Sequence, residues 1–217
     1  EERQKADAAN AAKTAFLTRM SHDIRTPLNG ILGLIEIEEL KEGDIQVARE
    51  SRAKARVAAN HLLSLINDIL EMGKIEDHKL TLEHAPFNLK ELCDDALVLC
   101  KLRASGSGIT MQDNSLPYAT GPYMIGSPTH IRRIIINLLD NSIKYNRHGG
   151  SVTFSSQTKP LDNGRALFCF SVSDTGIGMA PEFLKHIYEP FAQEGDDARS
   201  KFQGTGMGMP IVKSLID

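Results

Sequence analysis

His22 stands in the run Phe16-Leu17-Thr18-Arg19-Met20-Ser21-His22-Asp23-Ile24-Arg25-Thr26-Pro27-Leu28. A neutral imidazole is a nitrogen nucleophile near pH 7, and a neighbouring carboxylate can accept its proton or stabilise the developing charge. Leu17, Met20, Ile24, Leu28, Ile31 and Ile35 recur at helical steps and form an apolar seam. At about 100° per residue, the centre of that seam lies roughly 160° from His22. The imidazole then points outward with Arg25, Thr26 and Asn29, and Asp23 lies on its flank. Pro27 removes one helical N–H and frees the Asp23 carbonyl, at a cost of about 3 kcal/mol. An exposed histidine is most often only solvated; the carboxylate and the proline are what argue for chemistry.

A second set of residues suits phosphate. In Asn137-Leu138-Leu139-Asp140-Asn141-Ser142-Ile143-Lys144-Tyr145, the side chains of Asn137, Asn141 and Lys144 share one helical face. Ile136, Leu139 and Ile143 face elsewhere, toward a core. An Asn carbonyl suits Mg²⁺, a hard cation that keeps waters and nucleotide phosphates as its other ligands. Lys144 adds a point positive charge. Asp174-Thr175-Gly176-Ile177-Gly178 follows an alternating strand pattern, so a carboxylate acceptor meets glycines that let backbone approach a ligand closely. Gly204-Thr205-Gly206-Met207-Gly208-Met209 opens the last helical pattern, and a glycine-rich turn at a helix N-terminus cradles anions. Each is ambiguous alone: an amphipathic helix, a strand-to-loop turn, a glycine-rich loop.

The elements that must position these groups fall into two parts. Residues 1–80 are all helical, broken by Lys41-Glu42-Gly43-Asp44, where Gly43 stops one helix and Asp44 caps the next. Ala48, Ala55, Leu62 and Ile69 are spaced by sevens, with Ser51, Ala58, Leu65 and Met72 as the partner row. Two long helices and a short turn make an antiparallel hairpin, and so broad an apolar face calls for a dimeric four-helix bundle. Residues 81–217 are mixed. Lys79 to Pro86 reads as strand and connector, Asn88 caps a helix to about Leu102, and Ser105 to Gly108 reads as a loop. A short strand follows at Ile109 to Gln112, Pro117 to Pro128 is turn-rich, and Thr129 to Tyr145 is helical. Ser151 to Gln157 and Ala166 to Ser173 alternate as strands around an Asp162-Asn163-Gly164 turn. A helix from Pro181 to Tyr188 and another from Met207 complete the pattern, which is α+β in two domains.

The His22 run resembles the H-box of sensor histidine kinases. The segments around Asn141, Asp174 and Gly206 resemble, in that order, the N, G1 and G2 boxes of the Bergerat-type ATP fold. The resemblance implies a dimerisation and phosphotransfer hairpin at 1–80 and an α/β sandwich at 81–217, with a mixed sheet backed by helices. It implies that ATP phosphorylates His22, that Asp23 is its acid/base partner, and that Thr26 orients water when the domain dephosphorylates its regulator. It further implies an ATP site of Asn137, Asn141, Lys144, Tyr145, Asp174, Gly176, Gly178, Gly204, Thr205, Gly206, Met207 and Gly208, with Asn141 on Mg²⁺. Tyr188-Glu189-Pro190-Phe191 resembles the F-box, which adds Tyr188 and Phe191. Residues 192–203 would be the ATP lid, with Arg199 and Lys201 either reaching phosphate or simply solvated. The family commonly has Asp where this chain has Ser127, read as a capping difference. Members also continue into further strands beyond the position of Asp217. The implied partners are a second copy of the chain and the receiver domain of a response regulator.

Composition fits this reading. The 217 residues are 41% hydrophobic and 24% charged, with a net charge of −3 that supplies no basic field for nucleic acid. Cys93, Cys100 and Cys169 lack metal-ligand spacing and read as reduced thiols of a cytoplasmic core. No run approaches the ~18 apolar residues of a membrane helix. Glu1 is not a natural start, so the sequence reads as a piece of a longer chain that other segments could anchor to a membrane. The competing readings are an ATP-sensing scaffold without phosphotransfer, and a clamp of the topoisomerase or chaperone kind. The latter gives no reason for the His22 helix.

Overall fold

The computed structural model describes every residue except 1, 42, 77–80, 119–120, 191 and 195–205. The chain divides into two compact units, Glu1–Gly73 and Lys74–Asp217.

The first unit is a helical hairpin. Helix α1 spans Glu2–Leu40 and runs on through Pro27, and α2 spans Ile45–Glu76. Gly43 turns the chain at φ +94°. Asp44 Oδ1 accepts from the amides of Gln46 and Val47 at 3.1 and 3.2 Å, the cap expected of it. Arg52 on α2 bonds Glu38 on α1, holding the two antiparallel helices together near the turn. The single seam read from α1 resolves into two rows. Met20, Ile24, Pro27, Ile31 and Leu34 are half-buried, whereas Leu28, Leu32 and Ile35 stay 43%, 51% and 45% exposed. On α2, Ser51 and Leu65 are buried, and Ala58 and Met72 are half-buried, as are Ala48, Ala55, Leu62 and Ile69, so both expected rows are covered. One helix can cover only one side of another, which leaves the second α1 row facing outward.

The second unit packs two helices on a mixed sheet. Strand β1 (Ala85–Asn88) leads into α3 (Leu89–Gly106), then β2 (Thr110–Asp113), β3 (Tyr123–Gly126) and α4 (Pro128–Lys144). Strands β4 (Ser151–Pro160) and β5 (Ala166–Asp174) precede the last helix, α5 (Gly208–Ile216). Strand order is β2-β4-β5, with β2 parallel and β5 antiparallel to β4, while β1 and β3 form a separate antiparallel pair. Leu89, Leu92, Cys93, Ala96, Leu97 and Cys100 of α3 meet Ile135, Leu139 and Ile143 of α4 and Val152 and Phe154 of β4 in one core. Cys93 and Cys100 are free, and burial raises both thiols, which keeps them protonated at neutral pH. Ile135, not Ile136, is the fully buried residue of its α4 turn.

Four local expectations need correction. The first strand is Ala85–Asn88, since its register is set by β3, and Leu82 is exposed, while Lys79 and Leu80 lie outside the described residues. Strand β3 lies inside the turn-rich stretch. Helix α3 continues through Gly106 before Gly108 turns at φ +69°. Residues 181–188 form only a single 3-10 turn at Phe183–Lys185. That segment ends on Pro190, which disfavours helical backbone just before it, and is too short to sustain a helix unaided.

Candidate functional site

In the hairpin, the His22 side chain is 78% exposed, and its Nδ1 lies 3.3 Å from Asp23 Oδ1. The Thr26 hydroxyl donates to the His22 carbonyl at 3.1 Å, one helical turn back. Helical spacing thus places imidazole, carboxylate and hydroxyl within one turn and leaves the imidazole in solvent. An open groove lined by Met20, Ser21, Ile24, Arg25 and Leu28 runs beside them.

In the second unit the expected residues gather around the C-terminal half of α4. Asn137, Asn141 and Lys144 are half-buried on one face, opposite Ile135, Leu139 and Ile143. Asn137 Nδ2 donates to the Gly208 carbonyl at 3.4 Å, which ties the start of α5 to α4. Met207 is buried beneath that junction, and Gly206 precedes it at φ +66°. At the other end, Tyr145 closes α4 and its carbonyl accepts from the Ile177 amide at 3.0 Å. The Asp174–Gly178 loop is thereby held over the helix end. Gly176 is required there, because a Cβ would sit 2.6 Å from the Tyr145 carbonyl oxygen. Asp174 Oδ1 accepts from the Gly176 amide at 2.9 Å, and Gly178 lies exposed at the loop's far end. Lys144 Nζ bonds the Tyr145 hydroxyl at 2.8 Å, and burial pulls its ammonium down to about 8. Burial likewise raises the Tyr145 phenol.

One expected residue among those described stands apart from this cluster. Tyr188 is exposed, and its ring faces Lys213 Nζ at 5.5 Å from the centroid. Phe191, Gly204, Thr205, Arg199 and Lys201 lie outside the described residues. Ser127 sits at the α4 N-cap but makes no capping bond. Its hydroxyl instead accepts from the Glu83 amide at 3.1 Å and meets His130 Nδ1, while Thr129 donates to the Glu83 carboxylate at 2.9 Å. The expected capping role of Ser127 is therefore replaced by a strap on the incoming chain.

Residues 12–78 match the His Kinase A (phospho-acceptor) domain, and residues 126–217 match the histidine kinase-, DNA gyrase B- and HSP90-like ATPase. The chain belongs to the histidine kinase family. This kinase core is 37% identical over 99% of its length to the non-motile and phage-resistance protein of Caulobacter vibrioides, covering 25% of that protein. It is 35% identical over 99% of its length to the sensor protein GacS of Pseudomonas syringae pv. syringae, covering 23%. Among solved structures, full-length ShkA in complex with AMPPNP superposes with a TM-score of 0.61 at 30% identity, over 93% of this chain and 40% of that one. The kinase core thus spans about a quarter of the length of these curated relatives.

Two residues that brace the Asp174–Gly178 loop from outside the site escaped the sequence reading. Asn146 is buried just past α4, and Thr175 sits between Asp174 and Gly176. Asn146 directly follows Lys144-Tyr145, and an Asn at a helix end bonding local backbone was the available signal.

Proposed function

We propose that this chain is the autokinase core of a two-component signalling protein. It binds ATP in residues 81–217 and phosphorylates His22 within residues 1–80. The observation that carries the reading is the solvent-exposed imidazole of His22 with Asp23 at its Nδ1. With the Nδ1 proton directed at the carboxylate, the Nε2 lone pair faces outward. Nε2 attacks the γ-phosphorus, the bond to the β-bridging oxygen breaks, ADP leaves, and Asp23 takes the Nδ1 proton. Asn137, Asn141, Lys144 and Tyr145, with Gly176, Gly178 and the Gly204–Gly208 segment, hold the nucleotide, and catalysis is mainly positioning and charge neutralisation. The resemblance further assigns Tyr188 and Phe191 to nucleotide binding.

Asp174 Oδ1 is occupied by the Gly176 amide, and no described residue bonds Oδ2, which suits the adenine amino group. Likewise no described residue hydrogen-bonds the half-buried Asn141 side chain, so its carbonyl fits one position of a Mg²⁺ shell completed by phosphate and water. Mg²⁺ there would neutralise charge developing on the phosphates. Phosphohistidine then passes its group to an aspartate of a receiver domain, and Thr26 orients water in the reverse, dephosphorylating mode. The outward α1 row of Leu28, Leu32 and Ile35 supports assembly with a second copy as a four-helix bundle.

Incubation with γ-³²P-ATP and Mg²⁺ is expected to label the wild-type chain with acid-labile, base-stable phosphate. The variant His22→Gln is expected to bind nucleotide and incorporate none. Equal labelling of that variant would overturn the assignment.

A further inference from the structure

We infer that Asn146 and Thr175 form a latch that positions Asp174 for adenine recognition; the inference rests on the nucleotide site proposed above. Neither residue belongs to the set that resemblance assigns to the nucleotide. The Asn146 side chain uses both ends of its amide. Its Nδ2 donates to the carbonyls of Ser142 and Ser151 at 3.1 and 3.0 Å. Its Oδ1 accepts from the Arg147 amide at 2.9 Å and from the Thr175 hydroxyl at 3.3 Å. Thr175 Oγ1 in turn accepts from the Ser151 amide at 2.8 Å, and the Thr175 amide donates to the Ser151 carbonyl at 3.1 Å. One buried amide therefore joins the last turn of α4, the first residue of β4 and the residue following Asp174.

The surrounding chain is shaped to this arrangement. A Cβ on Gly150 would overlap Asn146 Oδ1 and Thr175 Oγ1, so only glycine lets the strand pass. An amide satisfied at four points is held in one orientation, whereas a shorter residue would leave buried carbonyls unpaired. Asp174 and Thr175 are adjacent, so fixing Thr175 fixes the backbone from which the Asp174 carboxylate projects. Asn146 and Thr175 make no contact with nucleotide in this scheme; they are positioning residues acting through Asp174.

The consequence is specific to the base. Loss of the latch should weaken discrimination between ATP and ITP, whose 6-oxo group offers no amino proton to Asp174. It should leave turnover at saturating ATP nearly unchanged, because the phosphate-facing residues stay in place. The test is displacement of a fluorescent nucleotide by ATP and by ITP, with autophosphorylation rates, for the wild type, Asn146→Ala, Thr175→Val and Thr175→Ser. Circular dichroism at the assay temperature selects the folded variants. The expected result is a loss of ATP affinity of about tenfold in Asn146→Ala and Thr175→Val, with ITP affinity moved far less. Thr175→Ser, which keeps the hydroxyl, should stay within about twofold of wild type. Thr175→Val serves alone if Asn146→Ala does not fold. An unchanged ATP-to-ITP ratio in folded Thr175→Val, or equal damage from Thr175→Ser, would overturn the latch. Failure of the wild type to bind ATP at all would instead sink the nucleotide site, and the latch with it.

Discussion

Lys144 Nζ donates to the hydroxyl of its own neighbour Tyr145 at 2.8 Å and also lies over that ring, 4.3 Å from its centroid. An ammonium so placed is held partly out of water, and burial lowers it from the ordinary 10.5 to about 8. Between about 8 and 10.5 the unfolded chain keeps a proton that the folded chain has released. Stability of the nucleotide-free protein should therefore rise with pH through that window and lose this contribution below it. A bound triphosphate favours the charged amine, so ATP affinity should fall as pH climbs past 8. Titration calorimetry at pH 8 in buffers of different ionisation enthalpy should detect proton uptake on binding. Lys144→Arg, which stays charged, should abolish that uptake.

Asp23 Oδ1 lies 3.3 Å from His22 Nδ1, and under the proposed mechanism the carboxylate serves the proton rather than the nucleotide. Asp23→Asn keeps the shape and loses the base. Its autophosphorylation should slow by roughly 10²–10⁴, the usual range for a general base, with nucleotide affinity unmoved. A parallel drop in affinity, measured by equilibrium dialysis, would contradict this division of labour.

Gly176→Ala forces a methyl against the Tyr145 carbonyl oxygen, 2.6 Å away, and that oxygen is fixed backbone already bonded to Ile177. The loop must move, at about 1–3 kcal/mol. Denaturant unfolding should register a loss of that order, and ATP binding should weaken along with it. An alanine variant of wild-type stability and affinity would show that the loop has room to spare.

Leu32 is 51% exposed in the hairpin, so Leu32→Asp should change the stability of a lone chain by about 0.5 kcal/mol or less. In a four-helix bundle the same carboxylate would be buried without a partner and should split the assembly. Sedimentation equilibrium separates the outcomes: a monomer for the variant against a dimer for the parent chain.

Long-range pairing explains which features could be read in advance. The hairpin was legible because Ser51, Ala58, Leu65 and Met72 keep one face over many turns, and Asp44 carries its own capping chemistry. The helix of Asn137, Asn141 and Lys144 was legible for the same reason: Leu139 and Ile143 are buried and Ile136 packs against the core, beside a fully buried Ile135. Strand β3 was hidden because four residues between turns give too short a pattern; only pairing with Ala85–Asn88 makes them a strand. The outward row of α1 was merged with the inward one because 3-4 spacing names an apolar stripe without saying how many neighbours divide it. Asn146 and Thr175 were missed because their role lies in bonds to Ser142 and Ser151, which no local spacing reveals.

Glu83 is fastened at the first turn of α4, through the Ser127 hydroxyl and the Thr129 side chain. Lys144 is the seventeenth and last residue of that helix, roughly 25 Å further along its axis. Glu83 and Lys144 therefore stand at opposite ends of one stiff rod. Because α4 is one unbroken helix, fastening its first turn also limits how far its last turn, with Lys144, can drift.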